Sequence, residues 1–249
     1  MSLALEVRDL NKFFGGLHAT RNVSMAVPKG ELHAVIGPNG AGKTTLISQL
    51  FGELRPNSGQ VLVDGRDVTH RPVHERAGLG MARSFQITTL VRDLSVGENV
   101  ILALLARRGH AGRFWRRVDR NAELQDAAGL ALARIGMDPS HLPRRVSDLS
   151  HGEQRLLELA IALVGEPSLI LLDEPMAGLG SEESRAMTRL LAQLKGKTTV
   201  LLVEHDMEAV FELADRLTVL VRGEVVAVGT PDQIRNDERV REAYLGEDA

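Results

Sequence analysis

Residues 1–7 alternate apolar and polar side chains, the period-two pattern of a strand with one buried face. A short apolar segment at 32–36 is followed by a glycine-rich turn and then by Leu46, Ile47, Leu50 and Phe51 at helical spacing. This order reads as strand, loop, helix. Residues 59–68 read as a second strand carrying the turn Asp64-Gly65, part of an antiparallel edge near the N-terminus. Later the alternation returns, with a buried strand at 169–172, a helix at 181–194, a strand at 198–203 and a helix at 206–214. Such a sequence of elements predicts a mostly parallel sheet with helices on its faces. Between 87 and 149 the strand signal disappears, and 100–106, 124–135 and the segment beyond Ser150 carry helical patterns. The expectation is an α/β core made of 1–86 and 165–249, interrupted by a helical subdomain at 87–164. No long Gly/Ser or Pro-rich linker and no repeat divides the rest.

Composition narrows the function classes. The 249 residues are 43% hydrophobic and 25% charged, enough to bury one sizeable core. Thirty Lys and Arg stand against 33 Asp and Glu, a net charge of −3 that offers no global field for a polyanion. Six Phe, one Trp and one Tyr leave few platforms for stacking bases. The absence of Cys excludes disulfides, zinc-thiolate sites and thiol nucleophiles. The N-terminus lacks a signal-peptide pattern, and no apolar run approaches the roughly 18 residues that span a bilayer. A soluble chain is expected.

Candidate chemistry sits at strand ends. Gly37, Pro38, Asn39, Gly40, Ala41, Gly42, Lys43, Thr44 and Thr45 fit the phosphate-loop pattern G-x-x-x-x-G-K-[ST] and lie between the strand and the helix, as its mechanism requires. The glycines let backbone N–H groups wrap a phosphate, Lys43 supplies charge to the β and γ phosphates, and the Thr44 hydroxyl suits Mg²⁺. The apolar run at 169–172 ends in Asp173 and Glu174, at the strand rim where ligands of such folds bind. Asp173 can hold Mg²⁺ through a water and Glu174 can orient or deprotonate an attacking water, although Glu174 also suits a cap before Pro175. A further strand ends at Glu204, His205 and Asp206. There His205 can polarise the γ-phosphate or the water, or simply end the strand with Asp206 as helix cap. Ser150 and Gly152 begin another helix, a second anion site, while Ser150 and Glu153 also have capping-box spacing.

Together these residues resemble one family, the ATP-binding subunits of ABC transporters, over essentially the whole chain. Residues 37–45 match its Walker A motif, 169–174 Walker B, Gln86 the Q-loop, 149–154 the signature and His205 the switch histidine. The resemblance implies an α/β P-loop ATPase fold with an N-terminal antiparallel portion and the inserted helical subdomain. It also implies ATP and Mg²⁺ as cofactors, with Thr44, Gln86 and Asp173 at the metal and Glu174, His205 and Gln86 in catalysis. Phe14 is its candidate for stacking on adenine, with Phe13 adjacent. Two such subunits pack head to tail, so that Ser150, Gly152 and Glu153 of one face the nucleotide held by the other. The implied partners are a second cassette, a different chain, two transmembrane permease subunits and, indirectly, an extracytoplasmic solute-binding protein. The implied place is the cytoplasmic face of the membrane, peripherally bound.

Local strings at 14–19, 80–86, 203–207, 229–234 and 243–246 resemble the branched-chain amino acid importers, or relatives that carry amides and urea. His151, Glu153 and Gly180 depart from the commonest signature and D-loop, which have Gly, Gln and Asp there. Arg107, Arg108, Arg113, Arg116, Arg117 and Arg120 flank Phe114 and Trp115; such runs are more often solvated helix faces, and as a functional patch this one suits a membrane partner or lipid surface better than nucleic acid in so acidic a chain. Chromosome-organising members carry a long coiled coil between the nucleotide motifs, and the interval from Gln86 to Ser150 is too short for one. No nucleic-acid partner is expected.

Overall fold

The computed structural model describes residues 2–84, 90–107 and 121–245. Two long strands, β1 (Leu3–Phe14) and β2 (Leu17–Pro28), open the chain and pair antiparallel. Then come β3 (Leu32–Ile36), α1 (Lys43–Phe51), the hairpin β4 (Ser58–Val63) and β5 (Arg66–Asp67), α2 (Val73–Gly78) and the short β6 (Met81–Arg83). Helices α3 (Val96–Arg107), α4 (Ala122–Arg134) and α5 (His151–Val164) follow. The chain then alternates through β7 (Leu169–Asp173), α6 (Ser181–Ala192), β8 (Thr199–Val203) and α7 (Met207–Leu213). It closes with β9 (Arg216–Val221), β10 (Glu224–Gly229), α8 (Pro231–Asn236) and α9 (Glu238–Leu245).

The strands make two sheets. One is antiparallel, in the order β2-β1-β4-β5, and the other has the order β10-β9-β3-β8-β7-β6. In the second sheet β9, β3, β8, β7 and β6 run parallel and only β10 returns antiparallel. The expected α/β fold with a mostly parallel sheet and an antiparallel N-terminal portion is the one observed. β3, β7 and β8 are buried at every position, which is why they read as continuous apolar runs. His33 is the polar exception in β3, satisfied by Glu31 Oε1 and Thr218 Oγ1, each at 2.8 Å. α6 stops at Ala192, short of the expected 194, and the chain turns through Gly196 (φ 75) to enter β8. Beyond residue 214 the sequence pattern names no element, and β9 through α9 are additions.

Close packing divides the chain into two units, Met1–Arg83 with Ser168–Glu174 and Leu191–Ala249, and Ser84–Pro167 with Pro175–Leu190. The first holds both sheets. In the second, α3, α4 and α5 pack on one another, and Ile101, Leu132 and Leu157 are fully buried. Gln86 lies outside the described residues, as do Arg108, Arg113, Phe114, Trp115, Arg116, Arg117 and Arg120. Among the described residues no helix is long and apolar enough to cross a membrane.

In the first unit α1 is anchored at its far end by a buried cation. Arg76 of α2 donates to the carbonyls of Gln49 (2.9 Å) and Leu50 (2.5 Å), and also to those of Arg71 and Thr69. A cation at a helix C-terminus is favourable to the dipole. Burial pulls the Arg76 pKa down to about 10, so the group remains charged at neutral pH.

Candidate active site

A cleft of about 530 Å³ opens in the first unit. Its floor is the loop and helix start from Asn39 to Thr45, and its walls include Phe14, His18, Arg21, Glu174 and Arg222. α1 begins at Lys43 with no side-chain cap and no acidic residue in its first turn. A helix start without such a cap favours an anion in the cleft. Glycine is demanded here by the protein's own backbone before any phosphate arrives. A Cβ at Gly37 would lie 2.0 Å from the carbonyl oxygen of Leu220 in β9, and one at Gly42 would lie 2.3 Å from that of Ala19 in β2. The Lys43 ammonium curls back to donate to the carbonyls of Gly37 (2.6 Å) and Pro38 (3.0 Å). Of the two adjacent rings, Phe14 lines the cleft and is 47% exposed. Phe13 stacks instead on His18, with ring centroids 3.9 Å apart.

Parallel pairing sets Asp173 of β7 opposite Val203 of β8, so the residues following each strand reach one rim. Glu174 sits there with φ 50, a left-handed conformation that costs about 1 kcal/mol in a non-glycine residue. Its N–H donates to the Val203 carbonyl at 2.8 Å, which holds the turn. Glu174 Oε1 lies 3.9 Å from His205 Nδ1, within ion-pair range but beyond a hydrogen bond. Glu204, 1% exposed, accepts the His205 N–H at 2.9 Å, and Asp206 caps α7 by accepting from Glu208 and Ala209. Asp206 is the cap, and His205, 65% exposed at its side chain, remains available to a ligand.

Asp173 is almost fully buried. Its Oδ2 accepts from Arg83 Nη2 at 3.1 Å, and its Oδ1 has no partner among the described residues. Burial pushes its carboxyl pKa up, and the Arg83 guanidinium works against that rise. An orphaned buried carboxylate oxygen, one residue before a lining residue of the cleft, fits a hydrated divalent cation. Among the described residues no group of three or more His, Cys, Asp or Glu could hold a metal. Mg²⁺ at phosphates needs no such cage, because one or two carboxylates and the phosphate oxygens suffice. Arg83 and Glu204 lie in family-like strings that give neither a role, and Arg222 lies in none, so only their neighbours in space show what they touch.

In the second unit the start of α5 is already capped. Ser150 Oγ accepts the Glu153 N–H at 3.1 Å, and the Glu153 carboxylate accepts the Ser150 N–H at 2.7 Å. Glu153 also pairs with Arg144 at 2.9 Å, so the carboxylate that replaces the usual glutamine is neutralised locally. A Cβ at Gly152 would lie 2.3 Å from a Glu183 carboxylate oxygen, so a side chain there would displace the end of Glu183. Glu183 in turn accepts the N–H of Gly180 at 3.1 Å, tying the D-loop glycine to the signature within this unit.

The family model for ABC transporters matches residues 20–177, well over half of the chain. The chain belongs to the ABC transporter family. It is an ATP-binding cassette, and ATP hydrolysis coupled to transport is its activity. A second model, for branched-chain amino acid ATP-binding cassette transporters, matches residues 224–249. The high-affinity branched-chain amino acid transport ATP-binding protein LivG of Escherichia coli (strain K12) is 39% identical, covering 98% of each chain. BraF of Pseudomonas aeruginosa, of the same description, is 37% identical over 98% of each. Among solved structures, the ADP conformation of the ABC transporter cassette MJ1267 superposes with a TM-score of 0.85 at 27% identity, covering 99% of both chains. Cassettes of this family bind ATP and ADP, pair with one another and serve membrane permeases.

Proposed function

We propose that this cassette powers import of branched-chain amino acids by hydrolysing MgATP at the cytoplasmic face of a membrane. It would act there beside a second, different cassette and two permease subunits supplied by an extracytoplasmic binding protein. The observation that carries the chemistry is a single cleft holding an uncapped helix start, Lys43 and Glu174, with His205 on the same rim. The cargo rests on the resemblance to LivG and BraF and on the matched C-terminal segment.

In this reading the N–H groups of residues 40–45 and the Lys43 ammonium bind the β and γ phosphates, and the Phe14 ring stacks on adenine. Thr44, Asp173 and Gln86 would hold Mg²⁺, which would supply neutralisation of phosphate charge. The Glu174 carboxylate takes a proton from the attacking water as its oxygen bonds to the γ-phosphorus and the bond to ADP breaks. His205 donates to the γ-phosphate. Ser150, Gly152 and Glu153 of the partner cassette close the site from the far side. Their helix start supplies the anion contact, and Arg144 keeps Glu153 from opposing it.

Uptake of radiolabelled leucine, isoleucine and valine, with urea and acetamide in parallel, checks the cargo in cells lacking the gene. Loss of high-affinity leucine uptake with urea uptake intact is expected. Loss of urea uptake with leucine uptake intact would reassign the transporter.

A further inference from the structure

We propose that Arg83 is a positioning residue of the ATPase site: clamped between Asp173 and Glu53, its guanidinium orients Asp173 and thereby sets how tightly the divalent cation is held. This rests on reading Asp173 as the carboxylate that serves the cation. Arg83 ends β6, which pairs in parallel with β7, so its side chain can run along the sheet to the end of the Walker B strand. The side chain is 5% exposed, and that of Asp173 is fully buried. Nη2 donates to Asp173 Oδ2 at 3.1 Å, and Nη1 donates to the Glu53 carboxylate just beyond the C-terminus of α1.

The consequence is an asymmetric carboxylate. A free Asp rotates broadly about its terminal torsion and presents either oxygen. Here Oδ2 is fixed, and the remaining buried oxygen, Oδ1, is the one left without a partner among the described residues. Outer partners that fix a ligating group are typically worth about 10- to 100-fold in metal affinity. An arginine this close also repels a cation, and Glu53 offsets that charge. The triad carries a net charge of −1, which favours a divalent ion. A buried Asp173 stripped of Arg83 would be both unoriented and expensive to keep ionised.

The test uses the full-length chain saturated with ADP, titrated with Mn²⁺ and read by electron paramagnetic resonance. ADP affinity in EDTA is measured alongside. Arg83→Met is expected to weaken Mn²⁺ binding by about tenfold or more. Arg83→Lys, which keeps the charge but reaches one carboxylate, falls between Arg83→Met and the parent. Glu53→Gln, at a more exposed position, weakens Mn²⁺ by a smaller factor through the uncovered Arg83 charge. Metal-free ADP affinity stays within about twofold in all three, a split that a general structural defect would not produce. If Arg83→Met does not fold, Arg83→Lys and Glu53→Gln decide the matter. Mn²⁺ affinity at the parent value in the folded variants overturns the role of Arg83. Asp173→Asn separates the two readings. If it weakens Mn²⁺ binding while the Arg83 variants do not, only the positioning role fails. If it too binds Mn²⁺ like the parent, the assignment of Asp173 fails with it.

Discussion

Replacing Glu174 by Gln is expected to slow ATP hydrolysis by about a hundred- to ten-thousand-fold while ATP still binds. Glutamine has the same shape but cannot take a proton from water. The contact that holds the turn, Glu174 N–H to the Val203 carbonyl at 2.8 Å, belongs to the main chain and survives the change. The left-handed φ of 50 is as unfavourable to Gln as to Glu, so the fold is not rewarded or penalised by the exchange. Single-turnover hydrolysis in the assembled transporter, together with equilibrium ATP binding, separates chemistry from affinity. Undiminished hydrolysis would remove Glu174 from the role of base. Lost binding would place the residue in recognition instead.

The second large effect is expected at Lys43. Lys43→Met should abolish the thermal stabilisation that ADP confers. At a ligand concentration 100 times Kd, binding stabilises a protein by about 2.7 kcal/mol. For a chain of this size that corresponds to a rise in Tm of roughly 5–10 °C. Lys43 already reaches two carbonyls of its own loop, at 2.6 and 3.0 Å, so the empty protein also loses two charge-assisted bonds when it is removed. The informative quantity is therefore the ADP-induced shift, measured against each protein's own nucleotide-free midpoint. Lys43→Arg should fare no better, because the branched guanidinium cannot occupy the space of a compact ammonium curled beneath the loop. A full ADP-induced shift in Lys43→Met would mean that the helix start alone carries the phosphates.

The sequence exposes this site unevenly, and the reasons are physical. β3 and β7 are buried on both faces, so their apolar runs stand out and the glycines or carboxylates that follow are easy to place. The choice between Phe13 and Phe14 is of another kind. The pairing of β1 with β2 shifts register between Lys12 and Phe13, and such an irregularity breaks the alternation from which a facing could be read. β6 has three residues, too few to show any period, and the ion pair from its Arg83 to Asp173 spans 90 positions of sequence. Only the strand order β8-β7-β6 brings those two together. At Gly37 and Gly42 the motif asks for glycine on account of a phosphate, yet the nearest steric reason lies in Leu220 and Ala19, on strands that the motif does not mention. The start of α5 shows the converse. Its capping box is legible from Ser150 and Glu153, whereas the Arg144 contact that neutralises Glu153 is not.

Transport by the reconstituted complex bears most directly on the whole account. Proteoliposomes containing the permease and both cassettes, with binding protein outside and ATP enclosed at the cassette side, should accumulate radiolabelled leucine against its gradient. The same vesicles carrying Glu174→Gln should not, and neither should vesicles loaded with ADP. Leucine accumulation that persists with Glu174→Gln in this chain, or without ATP, would contradict the assignment of this cleft as the engine of import.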